Sequence, residues 1–464
     1  MPVLVNVVLV STYDLGHQPF GVASPAAWLK RVGAAVVCID LSIQELNTEA
    51  IRSADLIAFH VPMHTATRLC LRLLPKVISL NSEALLVCYG LYAPANHEMF
   101  LEFGVKAIIG GEPETKLVQI YQSLVAGSSL INVTTTELRK QKFILPDRKM
   151  LPALKQYAHL KGPDGETATA GYTEASRGCK HLCRHCPVVP TYGGRFFVVD
   201  VDVVLADITQ QVVEGARHIT FGDPDFLNGP GHAMRVIEAL ATRHPNITYD
   251  VTVKVEHIRQ HQEFMPRLAE TGCLFVTTAV ESFDDNVLQC LDKGHSRADI
   301  FDAINICRQA GLNVSPTFVP FTPWTTPSSY LDLLEQIVEL NLVPNVAPIQ
   351  LAIRLLVPHG SYLLSHESFS HFLRNYDPES LSYRWDYADS ASIELEQRVQ
   401  SVVETGTKRT ERPSDTFIKL WEISHQVNGR MVPELKIDDS ADLHSMSEPW
   451  YCCAEPTSEQ FKQI

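Results

Sequence analysis

The 464-residue chain contains no apolar run of the about 20 residues needed to cross a bilayer. Its first residues, MPVLVNVVLVSTYDLGHQ, have no basic stretch ahead of the apolar run, so they read as a buried strand and not a secretion signal. A disulfide framework is also missing: eleven cysteines are an odd number, thinly spread over a long chain. A cytoplasmic, reducing compartment is expected. Positive charge is in deficit, with 39 Lys and Arg against 53 Asp and Glu and a net charge of −14. That balance disfavours nonspecific binding to nucleic acid or an anionic membrane, and neither is expected as a partner. Internal repeats and low-complexity tracts are absent too. The hydrophobic content of 45% is ordinary for a globular protein, and the length suits two or three domains.

Residues 1–125 alternate short aliphatic runs with helical stretches. The runs Val3–Val10, Ala34–Leu41, Ala54–Val61, Ala84–Gly90 and Val105–Gly111 read as buried parallel strands. The segment SPAAWLKRVG reads as a helix opened by Ser24 and Pro25. This repetition predicts a doubly wound α/β domain that binds ligands at the carboxyl ends of its strands, in the loops STYDLGHQPFG, PMHTAT and YGLYAPAN. Residues 126–169 are polar and read as a linker. From 170 to 365 a second strand–helix series follows. Its strands are expected at GYTEASRG, Ala216–Asp223, Ile247–Val255, Cys273–Ser282, Leu312–Phe321 and Ala347–Leu356. Six such units predict a partial (β/α)6 barrel with its chemistry at the C-terminal strand ends. Residues 366–464 are a less regular, mixed C-terminal extension.

One loop stands out. In ASRGCKHLCRHCPVVPTYGGRF, Cys179, Cys183 and Cys186 fall within eight residues, directly after the first barrel strand. Zinc needs a fourth ligand, which His181 or His185 would supply. A [4Fe–4S] cluster held by three thiolates instead leaves one iron open. The spacing on this loop resembles the radical SAM superfamily. The resemblance implies that Cys179, Cys183 and Cys186 hold a [4Fe–4S] cluster whose open iron chelates S-adenosylmethionine (SAM), and that an external donor such as flavodoxin or ferredoxin starts its reductive cleavage. The basic flank of Arg177, Lys180, His181, Arg184 and His185 would offset the cluster's charge or dock that donor.

Further resemblances assign a SAM cradle. FGDPDF follows the second barrel strand where superfamily members place an acidic motif for the SAM ammonium group, so Asp223 and Asp225 are the matching carboxylates. Lys254 and Glu256 in KVEHI would meet the SAM ribose or carboxylate. The run AVESFDDNVLQCLDKGHS resembles a signature of members with cobalamin-type N-terminal domains, and implies that Glu281 and Ser282 face the site. Arg354 would hold a carboxylate bidentately. Thr322, Trp324, Thr325 and Thr326 in PFTPWTTPSSY are candidates for the substrate pocket, with Trp324 equally suited to packing under the sixth strand.

The first domain then reads as a Rossmann-like, cobalamin-binding-type domain. Asp14 and His17 are one residue too far apart for the Asp-x-His-x-x-Gly motif, so His17 is not expected to ligate cobalt. IIGGEPE resembles a segment near the corrin edge in these domains and implicates Gly110, Gly111 and Glu112. Cobalamin is the expected third cofactor.

Near the end, WYCCAEP matches the CUAEP/CCAEP-tail radical SAM group, in which selenocysteine sometimes stands where Cys453 does. The resemblance implies a catalytic Cys452–Cys453 pair acting as a soft-atom ligand, as a ligand to cobalt or cluster iron, or as a redox pair. The remaining cysteines, Cys38, Cys70, Cys88, Cys273, Cys290 and Cys307, read as small buried hydrophobes. The leading expectation is a cobalamin-dependent radical SAM methyltransferase acting on an unactivated centre of a small molecule or peptide. Alternatives are a non-methylating radical SAM enzyme whose tail dithiol binds a metal or metalloid substrate, and a non-catalytic iron–sulfur or zinc redox sensor.

Overall fold

The computed structural model describes residues 5–128, 132–437, 443–448 and 458–463. The first unit is a six-stranded, wholly parallel sheet. Its strands are β1 (Asn6–Ser11), β2 (Ala35–Asp40), β3 (Leu56–His60), β4 (Leu85–Tyr89), β5 (Ala107–Gly111) and β6 (Val133–Glu137), in the order β2-β1-β3-β4-β5-β6. Along β1, Val7 and Leu9 pack beneath one helical layer while Val8 and Val10 pack beneath the other. Burial of both faces is why these strands read as unbroken aliphatic runs. The chain leaves β1 for β2 on one side and returns to β3 on the other, so a crevice opens beyond the carboxyl ends of β1 and β3.

The first helix spans Phe20–Arg31, so it starts four residues before the expected Ser24. Pro25 lies inside it, and the Gly21 carbonyl that a Pro nitrogen cannot serve accepts a hydrogen bond from the Tyr89 hydroxyl at 2.8 Å. Ser24 instead donates to Glu114 at 2.7 Å. The stretch read as a linker also needs correcting. Its VTTTE run is β6, a half-exposed edge strand whose β-branched threonines favour the extended chain. The same stretch holds β7 (His159–Lys161) and opens β8 (Thr167–Thr173).

β8 enters the second sheet, and β9 (Ser176–Gly178) pairs with β10 (Phe196–Val198) around the cysteine loop. β11 (His218–Phe221), β12 (Thr248–Thr252), β13 (Cys273–Glu281) and β14 (Asn313–Phe318) complete five parallel strands. The fold class is the expected one, a Rossmann-like sheet followed by a curled half-barrel. Its sixth position is reduced to a single bridge between Phe321 and Arg354. Pro348 opens a short 3₁₀ turn there, and the Gln350 side chain accepts from the Phe318 N–H at 3.1 Å where a sixth strand would have paired. The C-terminal extension contributes the hairpin β15 (Leu373–Asp377) and β16 (Ser382–Trp385), and helices Ala391–Lys408 and Pro413–Val427. Its short strand β17 (Ser445–Met446) pairs with β7 at the far edge of the barrel sheet.

Arg148, 2% exposed, joins the two units. It donates to both oxygens of Asp207 at 2.7 and 2.8 Å, to Gln18 at 2.9 Å and to the Tyr172 carbonyl at 2.6 Å. Arg148→Ala leaves the Asp207 carboxylate buried and unpaired, and is expected to cost about 3–5 kcal/mol of stability. Urea unfolding of the variant beside wild type checks this.

Candidate active site

The cysteine loop is fixed from both sides. Gly178 closes β9 at φ +78°, and a Cβ there would lie 2.5 Å from the Arg195 carbonyl and the Tyr192 ring. The Arg184 guanidinium donates to the Gln289 and Cys290 carbonyls at 2.9 Å, capping the helix Asp285–Leu291. Arg184 therefore braces the loop and is not available to offset charge on a cluster. Cys179, Cys183 and Cys186 line one cavity of about 750 Å³ at the barrel mouth. No disulfide ties any described cysteine, and burial raises the Cys179 thiol to about 11. Zinc draws ligands at 2.3 Å from the metal close together. Among the described residues, one group of three ligating side chains lies within 4.8 Å of one another, and it is His181, Asp225 and His257. The three thiols are not in that group. His181 and His185, the alternative zinc ligands, face carboxylates.

Asp225 is the best-held acid here. His181 Nε2 lies 3.1 Å and His257 Nδ1 2.6 Å from its Oδ2, and Leu227 N–H donates to its Oδ1 at 3.2 Å. Burial opposes its charge, but the two imidazoles prevail and hold its pKa below the usual carboxylate range. Asp223 takes a different role: it accepts from Ser176 Oγ at 2.5 Å and Ala175 N at 2.9 Å, bracing the β8–β9 corner. Burial, working against those bonds, raises it to about 7. Glu281 ends β13 at φ +69° after a register shift, a strained position for a residue with a side chain. It accepts from Lys293 at 3.1 Å and faces His185 Nε2 at 3.2 Å. Burial disfavours its charge, but Lys293 and His185 lower it to about 2. Lys254 lies 3.2 Å from both His181 and Glu256, so Glu256 reaches the site only through that pair.

Other expected residues sit elsewhere. Ser282 accepts from the Asp284 N–H at 3.0 Å at the next helix start, and does not line the cavity. Arg354 lies 4.0 Å over the Trp385 ring and pairs with Glu396 at 3.3 Å, because the sixth strand that would have aimed it inward is absent. Trp324 packs against Phe369 and Phe372, Thr322 bonds Thr325, and Thr326 caps a helix. A Cβ on Gly110 would meet Pro94 at 2.5 Å, and one on Gly111 the Glu137 carbonyl at 2.2 Å, so both glycines accommodate protein and not a flat ligand. Gly111 does border the cavity. Glu112 is buried against Arg177 at 2.8 Å and Tyr192 at 3.0 Å. Cys452 and Cys453 lie outside the described residues. Of the six cysteines read as core, Cys290 is half-buried, 3.3 Å from Ser368.

Sequence reasoning passed over His257, Lys293, Glu114 and Glu174. Lys293 stood in the quoted KGH run, and Glu174 alternates with Tyr172 on the inner face of β8. Arg177 pairs with Glu112 at 2.8 Å and with Glu114 and Glu174 at 2.7 Å. The same cavity continues into the first unit, walled by Phe20, Met63, Tyr89 and Tyr92, with His17 and His60 facing it. Burial lowers these imidazoles to about 4 and about 3, so both are neutral.

Residues 173–337 match the radical SAM superfamily. That places an enzymatic radical SAM domain in this chain, one that implies a [4Fe–4S] cluster and SAM. The tRNA-2-methylthio-N(6)-dimethylallyladenosine synthase of Marinomonas sp. (strain MWYL1) is 26% identical over 41% of this chain and 44% of its own length. The bacteriochlorophyllide d C-8(2)-methyltransferase of Chlorobaculum tepidum is 26% identical over 48% and 51%. The matches thus span about half the length of these curated relatives. Among solved structures, the fold is shared with the radical SAM methyltransferase TsrM from Kitasatospora setae (TM-score 0.62, 16% identity, 78% of this chain and 75% of that one). It is shared also with the cobalamin-dependent radical enzyme OxsB (TM-score 0.69, 14% identity, 87% and 67%). No helix among the described residues is long and apolar enough to cross a membrane.

Burial raises Glu174 from 4.5 to about 7, with Arg177 opposing. The folded state therefore favours its neutral form. The stability this contributes is complete below about pH 4.5 and lost as pH rises through about 7. Glu174→Gln is expected to flatten that fall and to be more stable than wild type at pH 8, by up to about 3 kcal/mol, in unfolding titrations across pH.

Proposed function

We propose that the protein is a cytoplasmic, cobalamin-dependent radical SAM enzyme that transfers a methyl group to an unactivated centre of a small molecule or peptide, with an external flavodoxin- or ferredoxin-like electron donor. One observation carries the reading: a single cavity runs from the three thiols at the barrel mouth to the crevice between β1 and β3. Its residues fit the groups implied. Cys179, Cys183 and Cys186 would hold the cluster. Glu281 and Asp225, both charged, would face the SAM end, and Tyr89, Tyr92, Phe20 and Met63 offer a largely apolar wall for a corrin. When bound, the cluster supplies the electron that cleaves SAM, and the corrinoid carries the methyl group. The chain's part is to orient these groups, keep His17 and His60 uncharged, and exclude water by burying the interface between the two units. The methyltransferase names of the relatives agree with this reading.

A second reading is radical chemistry without methyl transfer, with Cys452 and Cys453 holding a soft metal or metalloid substrate. It is favoured by β17, whose Met446 sulfur lies 3.8 Å from the Thr220 hydroxyl at the cavity. Glu448, which also borders the cavity, accepts from the Tyr13 hydroxyl at 2.5 Å.

Anaerobically reconstituted wild type is expected to show cluster and corrinoid absorbance and to form a methylated product with S-adenosylhomocysteine under strong reductant. Cys183→Ala should lose the cluster absorbance and at least about 1000-fold of SAM turnover, an on-the-order-of loss for removing a cofactor. Cys453→Ala should keep SAM cleavage while product formation collapses. Protein that carries the cluster but retains no corrinoid after reconstitution would favour the second reading.

A further inference from the structure

The inner face of the half-barrel is not packed. Inward positions alternate with core positions along each strand: Val251 and Val314 point into the hydrophobic core, while Asp250, Thr252, Thr277, Ser315 and Thr317 line the cavity below the thiols. A lumen filled for stability alone carries branched aliphatic side chains. This one carries hydroxyls and a carboxylate beside Phe275, Ala279 and Phe318, and no described residue hydrogen-bonds the side-chain hydroxyls of Thr252, Thr277, Ser315 or Thr317. Asp250, 5% exposed, takes both of its donors on Oδ1, from Thr220 Oγ1 at 2.7 Å and His218 Nε2 at 2.9 Å. Its Oδ2 has no donor among the described residues. The His218 ring is fixed on its other side by Thr248 Oγ1, 2.9 Å from Nδ1. Of the three lysines that line the cavity, Lys254 pairs with Glu256 and Lys293 with Glu281 at the mouth, and Lys161 lies in β7.

We infer that this lumen is the substrate chamber and that it selects a small, hydrophilic molecule bearing an amine or other cationic N–H donor, which docks on Asp250 Oδ2 while its polar body meets the threonine and serine hydroxyls. The inference rests on the radical SAM reading and deepens it. Buried polar groups left without partners penalise an apolar guest by about 1–3 kcal/mol each, so a sterol-like or tetrapyrrole-like substrate is rejected and a polar amine accepted. A charged pair formed in this enclosed place is also stronger than one at the surface.

The test separates the two readings. SAM cleavage to 5′-deoxyadenosine by the reconstituted full chain tests the radical SAM reading alone. The chamber is tested by binding: the reconstituted protein is mixed with an aqueous metabolite extract split into cation-exchange-retained, anion-exchange-retained, neutral and organic-soluble fractions, and small molecules retained with it on ultrafiltration are read by mass spectrometry. An amine-bearing compound from the cation-exchange fraction is expected on wild type and at least tenfold depleted on Asp250→Asn. Thr317→Val, which removes one hydroxyl at nearly constant volume, should deplete it several-fold and serves if Asp250→Asn does not fold. Retention equal on wild type and variants, retention only of anionic, neutral or organic-soluble compounds, or no retention at all overturns the inference.

Discussion

The relation between the two units turns on Arg177. Its guanidinium gathers Glu112 and Glu114 from the turn after β5 and Glu174 from the end of β8, and stacks near the Phe20 and Phe143 rings. A planar fork with five donors serves these three carboxylates and the Ser24 hydroxyl in one fixed geometry. Cys179 follows two residues later, so this cation, together with Arg148, ties the cysteine loop to the first sheet. Three acids on one base leave an excess of negative charge in a dry place. Burial therefore raises Glu112 and Glu174, while Glu114, with Ser24 and Gln141 also donating to it, stays below its ordinary value. The network thus carries at least one carboxyl near its neutral form around pH 7, next to the cavity.

From that anchor the site follows by topology. The crevice at β1 and β3 and the mouth of the half-barrel are both carboxyl-end features of parallel strands, and the two units meet end to end across one cavity. The half-barrel remains open because the chain turns into a 3₁₀ segment where a sixth strand was expected. The C-terminal helices pack on that segment, and β17 extends the opposite edge of the sheet, from which Met446 reaches Thr220.

Much of this was legible in the residues. Five aliphatic runs gave the first sheet, and the Cys179–Cys183–Cys186 spacing gave the loop chemistry before any coordinate. What was not legible has physical causes. β6 was hidden because an edge strand rich in threonine has the composition of a linker. Gly110 and Gly111 were read as room for a ligand, whereas tertiary packing against Pro94 and the Glu137 carbonyl uses that room. Arg354 was misplaced because its aim depended on a strand that a proline-started turn replaces. His257 carried no local signal, since its partner Asp225 is 32 positions away in sequence and only the barrel brings them together. The polar alternation Thr248, Asp250, Thr252 in β12 was visible in ITYDVTVKV, a pattern that a purely structural buried strand would not carry.

The mouth and the lumen differ in how their acids are held. Glu281 has Lys293 and His185, while Asp225 has the Leu227 N–H on one oxygen and two imidazoles facing the other. His257 is packed at 1% exposure, but His181 keeps 13% and has a second nitrogen already facing Lys254 and Glu256. His181 is thus the ring with somewhere to go, and it lies within the cysteine loop, between Cys179 and Cys183. The acid at the mouth and the cysteine loop thus meet at one side chain, His181.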